Sequence, residues 1–138
     1  MRWISVTVGL SVLACSSSTA PGGPTVSVVG TWNYIAVQQA PAAGIAGTFV
    51  ITSQTGASFQ GSMDVVENDS AGPSNVHLSG VVSGQTLDSN HVDFDAFLHP
   101  TGRRHLGIVV GDSMTGDWVE PSGATPYSGS FRAARVSP

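Results

Sequence analysis

The chain contains no lysine, and five arginines with nine acids make only 10% of its 138 residues charged, well under the usual share of roughly 25%. With a net charge of −4, and with only Arg103/Arg104 and Arg132/Arg135 as cationic pairs, it lacks the clustered basic surface that phosphate backbones require. No nucleic-acid partner is expected. A single cysteine, Cys15, excludes an intramolecular disulfide. A sustained helical period is missing as well, because the 17 glycines recur too often to leave room for one. The scarcity of charge is not a sign of disorder, since hydrophobic residues reach 41%. Serine, threonine and glycine stand in for the charged residues, which suits one domain of short strands and turns with a neutral polar surface.

The first residues read as an export signal: Arg2, the apolar run WISVTVGLSVLA, and then Cys15. That run is too short to span a bilayer as a helix. The sequence VLAC resembles the bacterial lipoprotein box, in which a small residue precedes a cysteine that is lipidated and becomes the new N-terminus. Ala14 fits the pattern; Leu13 is bulkier than it prefers. The resemblance implies lipidation at Cys15 and, with Ser16 next, anchoring to the outer membrane, so that membrane contact is through the N-terminal lipid only. The alternative is an ordinary signal cleaved after STA. SSSTAPGGPTVS then reads as a flexible tether. The expected division is signal 1–15, tether 16–27 and barrel domain 28–138.

Glycine recurs ahead of apolar residues, as GTW at 30, GTF at 47, GSM at 61, GVV at 80, GDW at 116 and GSF at 129. Between turn signals lie eight strand-like runs, about 29–37, 47–54, 57–66, 75–83, 91–98, 103–110, 113–120 and 126–136. Their spacing predicts an all-β, eight-stranded antiparallel up-and-down β-barrel, which closes the sheet and removes its edges. Alternation supports one inner face. In NHVDFDAFL it sets Val92, Phe94, Ala96 and Leu98 inward, and in the next run Leu106, Ile108 and Val110. A three-residue loop, Pro100-Thr101-Gly102, would pair Leu98 with Arg104, Ala96 with Leu106 and Phe94 with Ile108. Onward pairings are Ile108–Gly116, Leu106–Trp118, Arg104–Glu120, Trp118–Tyr127, Gly116–Gly129 and Met114–Phe131, with Gly80–Phe94 and Val76–Leu98 on the other side.

These features resemble the avidin and lipocalin group of small barrels. GTW is shared with both, and GTFVITSQTGASFQGSM followed by LSG is similar in order and spacing to the second to fourth strands of avidins. The biotin-binding residues do not carry over: Asn33 precedes Tyr34 where avidins have the reverse order, and Gly61-Ser62-Met63 lacks their tyrosine. Only Trp118 sits where a biotin-stacking tryptophan would. Lipocalins place an arginine of the last strand over the first-strand tryptophan. The counterpart here is Arg135 over Trp32, a plug contributing about 0.5–2 kcal/mol.

The plug marks one end of the barrel, with the tight turns TG and GD. The longer loops 39–46, 67–74, 99–102 and 121–124 mark the other as the mouth, with 39–46 either a lid or a plain connection. Arg104 and Glu120 face each other there, either holding the polar head of an amphipathic ligand or forming a rim salt bridge of little energy. Deeper, the row Gly80, Phe94, Ile108, Gly116, Gly129 either leaves a cavity or lets the strands coil while large neighbours fill the space. Phe94, Ile108, Leu98, Trp118 and Met63 are the candidates to line such a cavity.

His77, Phe97 and His105 fall in one outer row with Asp95 diagonal to both histidines. The histidines would stand two strand spacings apart, about 9–10 Å, with a ring between them, so no metal is expected and the row reads as a protein-contact patch. No nucleophile motif is present, and neither a cofactor nor enzyme activity is expected. The leading function is an envelope lipoprotein binding one small apolar or amphipathic ligand. The alternative is a protein-interaction module, an envelope scaffold or barrel-type protease inhibitor, with a filled barrel.

Overall fold

In the computed structural model the described residues are 25–70, 72, 74–121 and 126–137; the signal segment, the lipidation candidate Cys15 and most of the tether lie outside them. Eight strands follow in order: β1 (Gly30–Gln38), β2 (Ala43–Thr55), β3 (Ser58–Asp69), β4 (Val76–Thr86), β5 (His91–Leu98), β6 (Thr101–Val110), β7 (Ser113–Glu120) and β8 (Tyr127–Ser137). Each pairs antiparallel with its neighbour, and β8 returns to β1 to close the barrel. This is the predicted fold. Alternation produces it: along β1, Trp32, Tyr34, Ala36 and Gln38 are buried while Asn33, Ile35 and Val37 face out. Two hairpins close at Gly56 and Gly111, whose φ values of 58° and 59° suit glycine in a two-residue turn.

Strand β6 departs from the sequence reading. The turn between β5 and β6 holds two residues, so that Leu98 pairs with Thr101, Ala96 with Arg103 and Phe94 with His105. The offset from the expected register is an odd number of residues, and an odd slip turns every side chain to the other face. Arg103, His105 and Val109 therefore point inward, whereas Arg104, Leu106, Ile108 and Val110 are exposed. Elsewhere the slips are even and the faces hold: Gly80 meets Leu98 and Gly84 meets Phe94, while Trp118 meets Gly129 and Gly116 meets Phe131. The connection expected over 39–46 shrinks as well, because β2 already begins at Ala43.

The expected row of inward glycines does not form a cavity. A Cβ on Gly116 would collide with the Leu106 carbonyl, and one on Gly129 with that of Val37. These glycines permit close backbone approach and coiling. Below the barrel, Val28 is fully buried; its N–H donates to Gln54 Oε1 at 3.0 Å, and Gln54 Nε2 donates to the Val26 carbonyl at 3.0 Å. The chain just ahead of β1 thus forms a floor.

Candidate functional site

The lumen is filled with rings. Trp32 stacks on Phe49 at 5.8 Å between centroids, Phe49 meets Phe94 at 5.9 Å, and Phe94 lies flat on His105 at 4.5 Å. Tyr34 and Phe131 stack at 5.7 Å, and Phe131 stands edge-on to His105 at 5.1 Å. Of the expected cavity residues, Phe94, Leu98, Trp118 and Met63 are buried members of this core, while Ile108 is 41% exposed on the outer wall.

His105 is fully enclosed and spends both ring nitrogens. Its Nδ1–H donates to the Arg103 carbonyl at 3.1 Å, so Nε2 accepts from the Tyr34 hydroxyl at 3.0 Å. Burial drives its pKa down to about 3, against a weaker upward pull from the carbonyl hydrogen bond, and the nearby Arg103 charge lowers it further. The imidazole is therefore neutral. Burial likewise raises the Tyr34 phenol, partly offset by the charge of Arg103. Sequence reasoning missed this pair because the expected parity put His105 outside.

Each end of the barrel is closed by an arginine over a tryptophan. At the floor, the Arg135 guanidinium lies 4.5 Å above Trp32 and donates to the Val29 and Ser27 carbonyls at 2.6 Å each. Its Nε sits 3.2 Å from Asp112 Oδ1, near enough for charge attraction but out of line for a hydrogen bond. Trp32 Nε1 donates to the Val28 carbonyl at 2.9 Å.

At the mouth the arginine is Arg103, 4.8 Å above Trp118, where the sequence pointed to Arg104. Its Nε donates to Glu120 Oε2 at 2.9 Å and its Nη2 to Glu67 Oε2 at 2.6 Å. Burial works to lower the Arg103 pKa, but the hydrogen bonds and charges of the two glutamates outweigh it and hold the guanidinium above its ordinary value. The Trp118 indole N–H, packed at 2.8 Å from where a Gly129 Cβ would stand, has no acceptor among the described residues.

Above this cluster opens a pocket of about 190 Å³, with Gln38, Glu67, Arg103 and Glu120 at its base and Pro41, Val76, Leu78 and Tyr127 around the rim. Glu120 therefore lies at the mouth as expected, but its partner is Arg103. Arg104 instead stands on the outer wall and forms a two-pronged pair with Asp93, at 3.0 and 2.7 Å; its hydrogen bonds hold the Asp93 carboxyl below the usual range. The protein-contact patch also changes. His105 is interior, and His77 pairs with Asp64 at 2.8 Å, leaving Phe97 beside Val81 as the exposed apolar pair.

No family model matches the chain, and no curated protein matches it. Among solved structures it is similar to EF1p2_mFAP2b bound to DFHBI, with a TM-score of 0.68 at 9% identity over 78% of this chain and 92% of the other. A redesigned β-barrel, mFAP1, bound to DFHBI gives 0.66 at 8% identity over 78% and 94%. A de novo designed fluorescence-activating β-barrel gives 0.60 at 16% identity over 78% and 92%. At such identities the likeness shows the architecture, that of the small eight-stranded β-barrels.

Proposed function

We propose that this chain is a non-catalytic binding protein, exported and tethered to the outer membrane through a lipid on Cys15, that takes a small amphipathic ligand at the mouth of a filled barrel. We place it in this reading among distant kin of the avidin and lipocalin barrels. The observation that carries it is the mouth pocket set over a buried, charged base. Glu67, Asp69 and Glu120 outnumber Arg103 among the pocket residues, which favours a cationic or donor-rich head. Val76, Leu78, Pro41 and Tyr127 offer the apolar remainder a short grip. With rings occupying the lumen, the ligand is small. The DFHBI bound by two of the similar barrels supports this reading only as precedent for ligand binding on the shared architecture.

A thermal-shift screen of arylalkylamines against alkyl carboxylates tests it. The amines should raise the melting temperature, because a ligand that binds only the native state stabilises it, and Glu67→Gln should remove the shift. A screen in which neither class shifts the transition would overturn it. The packed lumen also favours the second reading, a protein-interaction module whose mouth and loops contact a protein in the envelope. That reading expects no small-molecule shift, and an envelope pull-down that Tyr127→Ala weakens.

A further inference from the structure

A further concavity lies apart from both the lumen and the mouth. It is a groove of about 670 Å³ on the outer wall, with buried Phe59 and Phe94 and half-buried Gly84 among the residues that line it. Register shows what lines it. One cross-strand row from β2 to β6 reads Ser53, Gln60, Ser83, Asp95 and Arg104; a second runs beside it through Thr55, Ser58, Gln85 and Asp93. The first row is polar across five strands and the second across four, from β2 to β5, where its β6 member is Leu106. At one edge they give way to Val81 and Phe97, 62% and 53% exposed, and at the other to Leu106 at 50%. The β2 bulge near Thr52, between Ile51 and Ser53, bends the strand where the groove begins; bulges commonly re-aim side chains in this way.

We infer that this groove is a binding site for a neutral oligosaccharide. The polar lining is built of planar or short groups that pair with vicinal hydroxyls, which both donate and accept: two carboxamides, one exposed carboxylate, several hydroxyls and one guanidinium. Asp93 holds the Arg104 fork through Nε and Nη2. Three of the five guanidinium N–H groups remain for a ligand, on a side chain already fixed in place. The charges along the groove, one arginine and two aspartates, nearly cancel, so the site offers no field for a phosphorylated or strongly charged chain. Phe97 supplies a ring for the apolar face of a sugar. Four strand spacings of about 4.8 Å span roughly 19 Å, more than one sugar ring, so chain length should matter.

The test is isothermal titration of the full chain with glucose, maltotriose, cellotriose and N,N′-diacetylchitobiose, followed by the variants Arg104→Ala, Gln60→Ala with Gln85→Ala, and Phe97→Ala. All these side chains lie on the outer wall, and an unchanged melting temperature will show that the variants fold. At least one oligosaccharide should bind at least tenfold tighter than glucose, and each variant should weaken it at least fivefold, while Glu67→Gln at the mouth leaves it unchanged. No binding at 10 mM of any probe would overturn the inference. So would binding indifferent to the groove variants.

Discussion

His105 shows how much a single residue can decide. Its folded pKa lies near 3 against 6.5 for the free side chain, so the unfolded chain binds the extra proton first as pH falls. The contribution of a neutral His105 is fully present above about pH 6.5, and it should fall by about 1.4 kcal/mol for each pH unit below that until the folded pKa is reached. Urea midpoints at pH 7 and pH 4.5 check this. The parent should lose stability between them, and His105→Gln, less stable at pH 7, should show a much flatter profile. The adjacent arginines offer a second contrast. Arg103→Gln leaves Glu67 and Glu120 without their shared cation, a loss of about 3–5 kcal/mol by the measure of other broken buried pairs. Arg104→Gln, on a side chain that lies on the outer wall, should leave the melting temperature unchanged; an equal loss from both would return the arginines to the reversed parity.

At the scale of the strand, the test is which face of β6 is buried. Ile108→Ser on the outer wall should change stability by no more than about 0.5 kcal/mol, whereas Val109→Asp, one residue on, should prevent folding because it buries a lone carboxylate. Gly129→Ala should cost about 1–3 kcal/mol through its clash with the Val37 carbonyl. All eight strands and the closed topology were legible in the sequence, because glycine-apolar motifs and turn residues punctuate every run. The face of β6 was not. Leu106, Ile108 and Val110 make the better apolar face on their own, and Arg103, His105 and Gly107 the worse. Tertiary partners reverse that choice: Glu67, Glu120 and Trp118 receive Arg103, and Tyr34 receives His105. Those partners lie on β1, β3 and β7, and no local pattern exposes them. The mouth was thus legible as a place, through its longer loops and Glu120, but not as the cluster that Arg103 centres.

Among the described residues, a closed sheet, a lumen of packed rings and an arginine over a tryptophan at each end make a barrel whose interior is occupied by its own side chains. In the readings proposed above, ligand binding falls to the mouth and the outer wall. A long-chain fluorescent hydrophobe should therefore neither bind nor raise the melting temperature, while ring resonances of Phe94 and Phe131 should show the slow flipping of a close-packed core. The measurement that bears most directly on this account is a ¹⁵N-resolved NMR titration of the His105 imidazole, which reports both the parity of β6 and the dryness of the lumen. A neutral ring protonated at Nδ1 throughout pH 8 to 4.5 is predicted, with Nε2 shifted as a hydrogen-bond acceptor. A His105 that titrates near its free value of 6.5 would place the ring in water and contradict the filled barrel.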